Sequence, residues 1–381
     1  MKTKLLAVLF LIIVFAICIA NIPNAYRAIS GSTGADGLRG VIDSIDNTYN
    51  DSFVPKYRFV EVNGISEKAL QKEIINETVI LNNGYLSYKF GKKDVADKAA
   101  KVAALRDYLE SKDIKFFYEA LPYKNSPYDN QVPFGLYDYG NENQMNMTTE
   151  LADKGVNILD LVPAMNEYTK GDWYSAYFKT DHHWKPETAF WAYTKTAQYL
   201  HDEYGYELDE QSMDLDNYNK DVYKDWFLGS QGKKTGRYVA GLDDISIIYP
   251  KWDTQMSVTI PTEGIVREGT YREAVFDERC LEKDYYNIST YTAYLGNMLD
   301  LCEQRNPSAV NHAKVLVIKD SFAIAMTPYL SFMFDEVDVI DLRYYEKGTL
   351  KEYIDETSPD VVIMPYSSSV FGSKGVFDYG L

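Results

Sequence analysis

The chain has 381 residues, of which 46% are hydrophobic and 25% charged, a composition that supports a buried core and excludes disorder along the whole length. With 56 acidic against 39 basic residues the formal net charge is −17, which excludes a nucleic-acid partner, because phosphate binding needs clustered Lys and Arg. The 33 Tyr, 5 Trp and 17 Phe fit either core packing or amphipathic surfaces that handle carbohydrate, and composition does not choose between them.

In chain order, a short basic stretch at Met1–Lys4 precedes an uninterrupted apolar run, Leu5–Ala20 (LLAVLFLIIVFAICIA). Residues 1–24 read as a secretory signal peptide or a signal anchor. The run is short of the roughly 20 residues of a full span, so both readings stay open. Lys2 and Lys4 put the N-terminus in the cytoplasm and the rest outside, secreted or membrane-anchored. Residues 25–77 read as a linker and N-terminal extension, rich in Gly, Ser, Asp and Asn over 25–50.

Thr78–Phe90 predicts a strand, a turn at Asn82-Asn83-Gly84, and a second strand. Val95, Ala99, Val102, Leu105 and Leu109 recur at helical spacing within Asp94–Ser111. Ile114–Leu121 and Gly155–Leu161 read as strands, and Pro186–Leu200 as a helix with Pro at its first position. Residues 205–312 are less regular, with strand-like runs at Ile245–Tyr249 and Met256–Ile260, and read as an insertion or lid. Towards the C-terminus, strands at Lys314–Asp320, Val337–Leu342 and Asp360–Met364 alternate with helices at Ser321–Phe334 and Leu350–Glu356. That alternation indicates βαβ crossovers and a parallel sheet buried on both faces. Chemistry in such sheets sits beyond the carboxyl ends of the strands.

Two segments fit that rule. Ser321, in Lys319-Asp320-Ser321-Phe322, falls where a strand ends and a helix is expected, a turn that exposes a hydroxyl. Thr180-Asp181-His182-His183-Trp184 lies just before the Pro186 helix and holds two of the four His. A serine nucleophile needs a base within reach and an acid to orient that base. Asp181 and His183 supply both from one short loop, His183 facing Ser321. Capping residues in ordinary loops are the plain alternative for both segments. Asp181, His182 and His183 also permit a metal reading, disfavoured because adjacent His side chains diverge and no companion Asp-x-Asp motif precedes them. No metal and no cofactor are expected. Cys18 lies in the apolar run, and Cys280 and Cys302 either pair in an oxidising compartment or stay free.

Asp181-His182-His183-Trp184 followed by Lys319-Asp320-Ser321-Phe322 resembles the bacterial DHHW protein family. Phe227-Leu228-Gly229-Ser230, Gly241-Leu242-Asp243-Asp244, Tyr294-Leu295-Gly296-Asn297 and Ile340-Asp341-Leu342-Arg343-Tyr344 resemble further parts of it, over residues 78–381. That family is similar to the SGNH-hydrolase-like domains of alginate O-acetylation proteins. The resemblance implies an α/β three-layer sandwich with a mainly parallel sheet, a catalytic domain at 78–381, and an Asp181–His183–Ser321 triad. The order Asp, His, Ser departs from ordinary SGNH enzymes and implies circular permutation. Gly229, Ser230, Gly296 and Asn297 become candidates for the oxyanion hole, and His182, Trp184 and Arg343 for substrate binding. The implied function is acetyl transfer through Ser321 to a polysaccharide outside the cytoplasm, with a membrane-bound O-acyltransferase as partner. The alternatives are an esterase with the same triad and a non-catalytic polysaccharide-binding or assembly protein.

Overall fold

Strand Asn311–Ile318 shows why the core has two sides. Val315 and Val317 are buried in one apolar cluster, and Leu316 and Ile318 in another. Side chains alternate across a strand, so an all-apolar strand needs cover on both faces. The structure is a computed structural model describing residues 2–31, 42, 55–296 and 300–381. It divides into two compact units, Met1–Lys72 and Glu73–Leu381.

The first unit holds helices α1 (Lys2–Gly31) and α2 (Lys56–Ala69). Within α1, Val8–Arg27 is long and apolar enough to cross a membrane. The helix thus runs past the expected end of the apolar segment, through Pro23. Residues 32–41 and 43–54 of the expected linker and extension lie outside the described residues.

The second unit opens with a small antiparallel sheet of β1 (Ile74–Ile75), β2 (Thr78–Ile80) and β3 (Leu86–Ser87). Gly84, at a φ of +80°, makes the expected turn between the last two. Then follow α3 (Ala96–Glu110), β4 (Lys115–Ala120), α4 (Gly140–Asp153), β5 (Ile158–Asp160), α5 (Leu161–Tyr168) and α6 (Pro186–Tyr204). Helix α6 has Pro186 in its first turn and stops at Gly205, which is left-handed at φ +74°. Next come β6 (Tyr218–Phe227), α7 (Ser230–Thr235), α8 (Arg237–Ala240) and β7 (Asp243–Pro250). The chain continues through β8 (Met256–Ile260), β9 (Ile265–Gly269), α9 (Tyr271–Val275), β10 (Leu301–Arg305), β11 (Asn311–Ile318), β12 (Phe334–Ile340), α10 (Leu350–Thr357) and β13 (Val361–Tyr366).

Eight strands form the central sheet in the order β5-β4-β13-β11-β12-β10-β8-β9. The first five are parallel. The last three pair antiparallel. One cluster packs α6 and the buried segment 321–334 on one face, and the other packs α3, α4 and α10 on the opposite face. This is the expected three-layer α/β architecture with a mainly parallel sheet. Residues 205–312, the expected insertion or lid, give three strands to the central sheet and form the β6–β7 pair.

The expected helix at Ser321–Phe334 is instead two 3₁₀ turns, Ser321–Ala325 and Thr327–Phe332. Pro328 lacks the N–H that a continuous α-helix would use, and the whole segment is buried, so packing decides its path. Cys280 and Cys302 are free thiols.

Candidate active site

The carboxyl ends of the parallel strands gather the side chains with chemistry. Immediately after β11, Lys319, Asp320 and Ser321 each reach a different neighbour. Lys319 Nζ bonds Asp341 Oδ2 at 2.8 Å, beyond β12. Asp320 Oδ2 accepts from Ser367 N–H at 2.9 Å and Ser367 Oγ–H at 2.6 Å, beyond β13. Asp320 Oδ1 accepts from Phe322 N–H at 2.9 Å, which caps the tight turn. The turn is thereby fixed from both adjacent strands, and its third residue, Ser321, faces the loop before α6.

Ser321 Oγ lies 2.8 Å from His183 Nε2, and His183 Nδ1 lies 2.5 Å from Asp181 Oδ1. Residues 138 apart in sequence therefore form one chain of hydrogen bonds. With Nδ1–H donated to the carboxylate, Nε2 is the acceptor for Ser321 Oγ–H. Asp181 Oδ1 also accepts from His183 N–H at 3.0 Å, and Oδ2 from Ser230 N–H at 2.6 Å. Burial alone would raise the Asp181 carboxyl. The neighbouring imidazoles and these hydrogen bonds outweigh it and hold the group well below its ordinary range. His182 is pushed down to about 3, first by burial and then by His183 beside it. It is therefore neutral near pH 7.

The His183 ring is packed on both sides. His182 lies at 3.8 Å between ring centroids, and Tyr291 stacks at 4.3 Å with 13° between planes. The Tyr291 hydroxyl donates to Phe322 O at 2.9 Å, and Trp184 Nε1–H donates to the same oxygen at 2.9 Å. His183 and Ser321 are thus tied together through Trp184 and Phe322, the residues that follow them.

The other expected site residues take different places. Ser230 N–H is committed to Asp181 and Gly229 N–H to Thr180 Oγ1 at 2.9 Å, so neither is available to an oxyanion. Gly229 serves close approach instead, since a Cβ there would stand 2.2 Å from Asp181 Cβ. Trp184 is fully buried and cannot meet a substrate. Gly296 lies against Asp277 and Arg267 rather than the Ser321 turn, and Asn297 lies outside the described residues. Arg343 forms a two-pronged ion pair with Asp341, at 2.9 Å from Nε and 2.6 Å from Nη2. His182 Nδ1 sits 3.0 Å from Ser230 Oγ, its side chain is 23% exposed, and its Nε2 has no hydrogen-bond partner among the described residues.

Asp181, His182 and His183 offer ligand atoms within 4.8 Å of one another, the geometry behind a metal reading. Both His183 nitrogens and both Asp181 oxygens already hold the hydrogen bonds described above. A cation there would have to displace them.

Residues 164–340 match the DHHW protein family. An overlapping stretch of the DHHW-like chain, residues 81–223, matches the SGNH hydrolase-like domain described for the acetyltransferase AlgX. Among solved structures, PatB1 of Bacillus cereus with a sulfonyl adduct is 21% identical, with a TM-score of 0.66 over 81% of this chain and 99% of that one. A DHHW family protein from Eubacterium siraeum is 18% identical, with a TM-score of 0.59 over 80% of this chain and 94% of that one. At these identities the likeness establishes the fold. No curated protein sequence matches the chain significantly. The DHHW and SGNH-like resemblance read from the sequence therefore stands.

The sequence pointed to Asp181, His183 and Ser321 but did not single out Asp320 or Tyr291, which pack around them. Asp320 was next to a residue already singled out, and its capping position was the available signal. Tyr291 had no local pattern to announce it.

Proposed function

We propose that this DHHW-like chain is an extracytoplasmic SGNH-type O-acetyltransferase acting on a polysaccharide. The observation that carries the reading is the 2.8 Å approach of His183 Nε2 to Ser321 Oγ, with Asp181 on the far ring nitrogen. The AlgX description of the matched domain supports acetyl transfer as the reaction class. The apolar helix α1 supports a location at or beyond a membrane.

In this reading Ser321 Oγ attacks the carbonyl carbon of an acetyl donor while His183 Nε2 takes its proton. The bond to the leaving group breaks, and His183 returns the proton to that group. A hydroxyl of the acceptor then gives its proton to His183 and attacks the acetyl-serine, which restores Ser321. Asp181 keeps the imidazole oriented and offsets its transient positive charge. The backbone N–H of Ser321 has no acceptor among the described residues and is our candidate oxyanion donor. One such donor contributes about 3–4 kcal/mol in related acyl transfer. His182 Nε2 and the Arg343 guanidinium are the candidate contacts to the acceptor, and a membrane-bound O-acyltransferase is the proposed source of the acetyl group.

The test is a chromogenic acetyl ester offered with defined oligosaccharides. The expected result is acetylated oligosaccharide, with no product from Ser321→Ala. Ester cleavage with transfer to water alone would make the protein an esterase, and full activity in Ser321→Ala would remove the enzymatic reading and favour a non-catalytic binding or assembly role.

A further inference from the structure

We infer that Lys124 is a positioning residue for this site, whose ammonium fixes the backbone of the Asp181–His183 loop by giving one N–H to each of three carbonyl groups. The inference rests on the reading of Asp181, His183 and Ser321 as the reacting group.

Lys124 follows β4 at the same sheet edge as Ser321 and is completely buried. Its Nζ bonds Asp181 O at 2.6 Å, Lys179 O at 3.3 Å, and Leu86 O. The Gln231 amide also converges there, with its Oε1 position 3.4 Å from Nζ. Turned over, the amide satisfies both its ends, its nitrogen donating to Leu86 O at 2.8 Å and its oxygen accepting from Tyr88 N–H at 3.0 Å, which leaves Nζ its three carbonyls. Asp243 takes the complementary groups of the same loop. Its carboxylate accepts from Lys179 N–H at 2.7 Å, Thr180 N–H at 2.8 Å and Thr180 Oγ–H at 2.6 Å. A cation thus holds the loop carbonyls and an anion holds the loop amides.

An ammonium has three N–H donors, matching the three carbonyls, whereas a neutral amine has two and a lone pair that would face a carbonyl oxygen. The arrangement therefore fits the charged form alone. The charged and titratable groups around Nζ are Asp243, Asp181, His182 and the Tyr85 ring, whose centroid is 5.5 Å away. Burial pushes the amine down to about 7, and Asp243 and Asp181 offset only part of that. His182 is neutral throughout and burial raises Tyr85, so neither titrates just above neutrality. Loss of the Lys124 proton above about pH 7 would then free the Asp181 carbonyl and let the loop relax.

The experiment uses the full chain with 4-nitrophenyl acetate as acyl donor and, separately, phenylmethylsulfonyl fluoride. In the second reaction Ser321 Oγ bonds the sulfonyl sulfur, fluoride leaves and His183 takes the proton. Rates are read from pH 6 to 9.5, with Ser321→Ala subtracted as background. The wild type is expected to lose rate on the alkaline side in both reactions. Lys124→Met, which keeps the stem and removes the donors, is expected to lose on the order of tenfold to a hundredfold in kcat at pH 6.5, with KM little changed. It should also lack the alkaline fall. Lys124→Gln, which restores one neutral donor, is expected to lie between the two, and both variants are compared at temperatures below their measured Tm. A Lys124→Met with wild-type kcat, or one that keeps the alkaline fall, overturns the assignment. A wild type inert to both reagents sinks the acyl-transfer reading itself, an outcome distinct from a reactive wild type indifferent to Lys124.

Discussion

Trp184 and Phe322 are joined by a single hydrogen bond, from the indole N–H to the backbone carbonyl at 2.9 Å. One residue follows His183 and the other follows Ser321, so the bond sets the distance between the two segments. Trp184→Phe removes the donor but keeps an aromatic ring, leaving Tyr291 on the same carbonyl. The expected cost is about 1–3 kcal/mol of stability and roughly a tenfold fall in kcat for 4-nitrophenyl acetate. Thermal melts and steady-state rates check this. A variant that matches the wild type in both would remove Trp184 from any positioning role.

Gly229 and Asp181 touch without room for another atom. A methyl at residue 229 would meet Asp181 Cα at 2.6 Å and Thr180 O at 2.6 Å, both backbone atoms. Gly229→Ala must push the Asp181 loop away from α7, at a cost of about 1–3 kcal/mol. Most of the activity should go with it, because Ser230 N–H would no longer reach Asp181. Gly91→Ala is the control, since a Cβ there meets nothing within 4 Å, and its Tm should stay within measurement error. Equal behaviour of the two variants would refute the close-contact account.

How much of this was readable in the sequence depends on the range of the interactions involved. The five parallel strands announce themselves as short apolar runs, and Pro186 marks the start of α6, which runs to Tyr204, past the Leu200 expected from the sequence. Asp181 and His183 lie two residues apart, and Ser321 sits at a strand end, so local pattern was enough to single out the three residues that the structure joins by hydrogen bonds. The antiparallel strands β8–β10 were less legible, because their place depends on pairing with β12 far along the chain. Ser321–Phe334 has apolar residues on every side, so periodicity could not separate helix from buried 3₁₀ turns. Lys124 acts on backbone carbonyls and Tyr291 through ring stacking, and neither leaves a spacing signature. Gly229 and Ser230 were selected as oxyanion donors, yet their N–H groups face Thr180 and Asp181, a direction that letters alone do not carry.

Asp181→Asn separates orientation from bulk. The amide cannot accept from His183 Nδ1–H through one oxygen and keep Ser230 N–H on the other atom, so the imidazole loses its tautomer. A fall in kcat on the order of 10³–10⁴ is expected at neutral pH, as in related serine chemistry. The carboxyl is held well below its ordinary 3.8, so its contribution to stability is present above that value and is lost only as pH falls further, through the lowered folded value. The Tm gap between wild type and Asp181→Asn should therefore stay constant down to about pH 4 and narrow below it. A gap that closes between pH 7 and 5 would contradict the lowered carboxyl.

Glu119, on β4 and fully buried, behaves in the opposite sense. Its Oε1 accepts from Thr196 Oγ–H at 2.8 Å, and its Oε2 has no partner among the described residues. Burial raises the carboxyl from 4.5 to about 8, against a smaller opposing effect of the Thr196 bond. Between those two values the folded state holds a proton that the unfolded chain has lost. Stability from this group is therefore fully present below about 4.5 and declines as pH rises towards 8. Glu119→Gln keeps the shape and hydrogen-bonding capacity of the protonated acid and carries no titration. Its Tm should equal or trail that of the wild type at pH 4.5 and gain on it steadily up to pH 8. The slope of that difference is the measurement that matters, because a merely misfitting amide would lower Tm by the same amount at every pH.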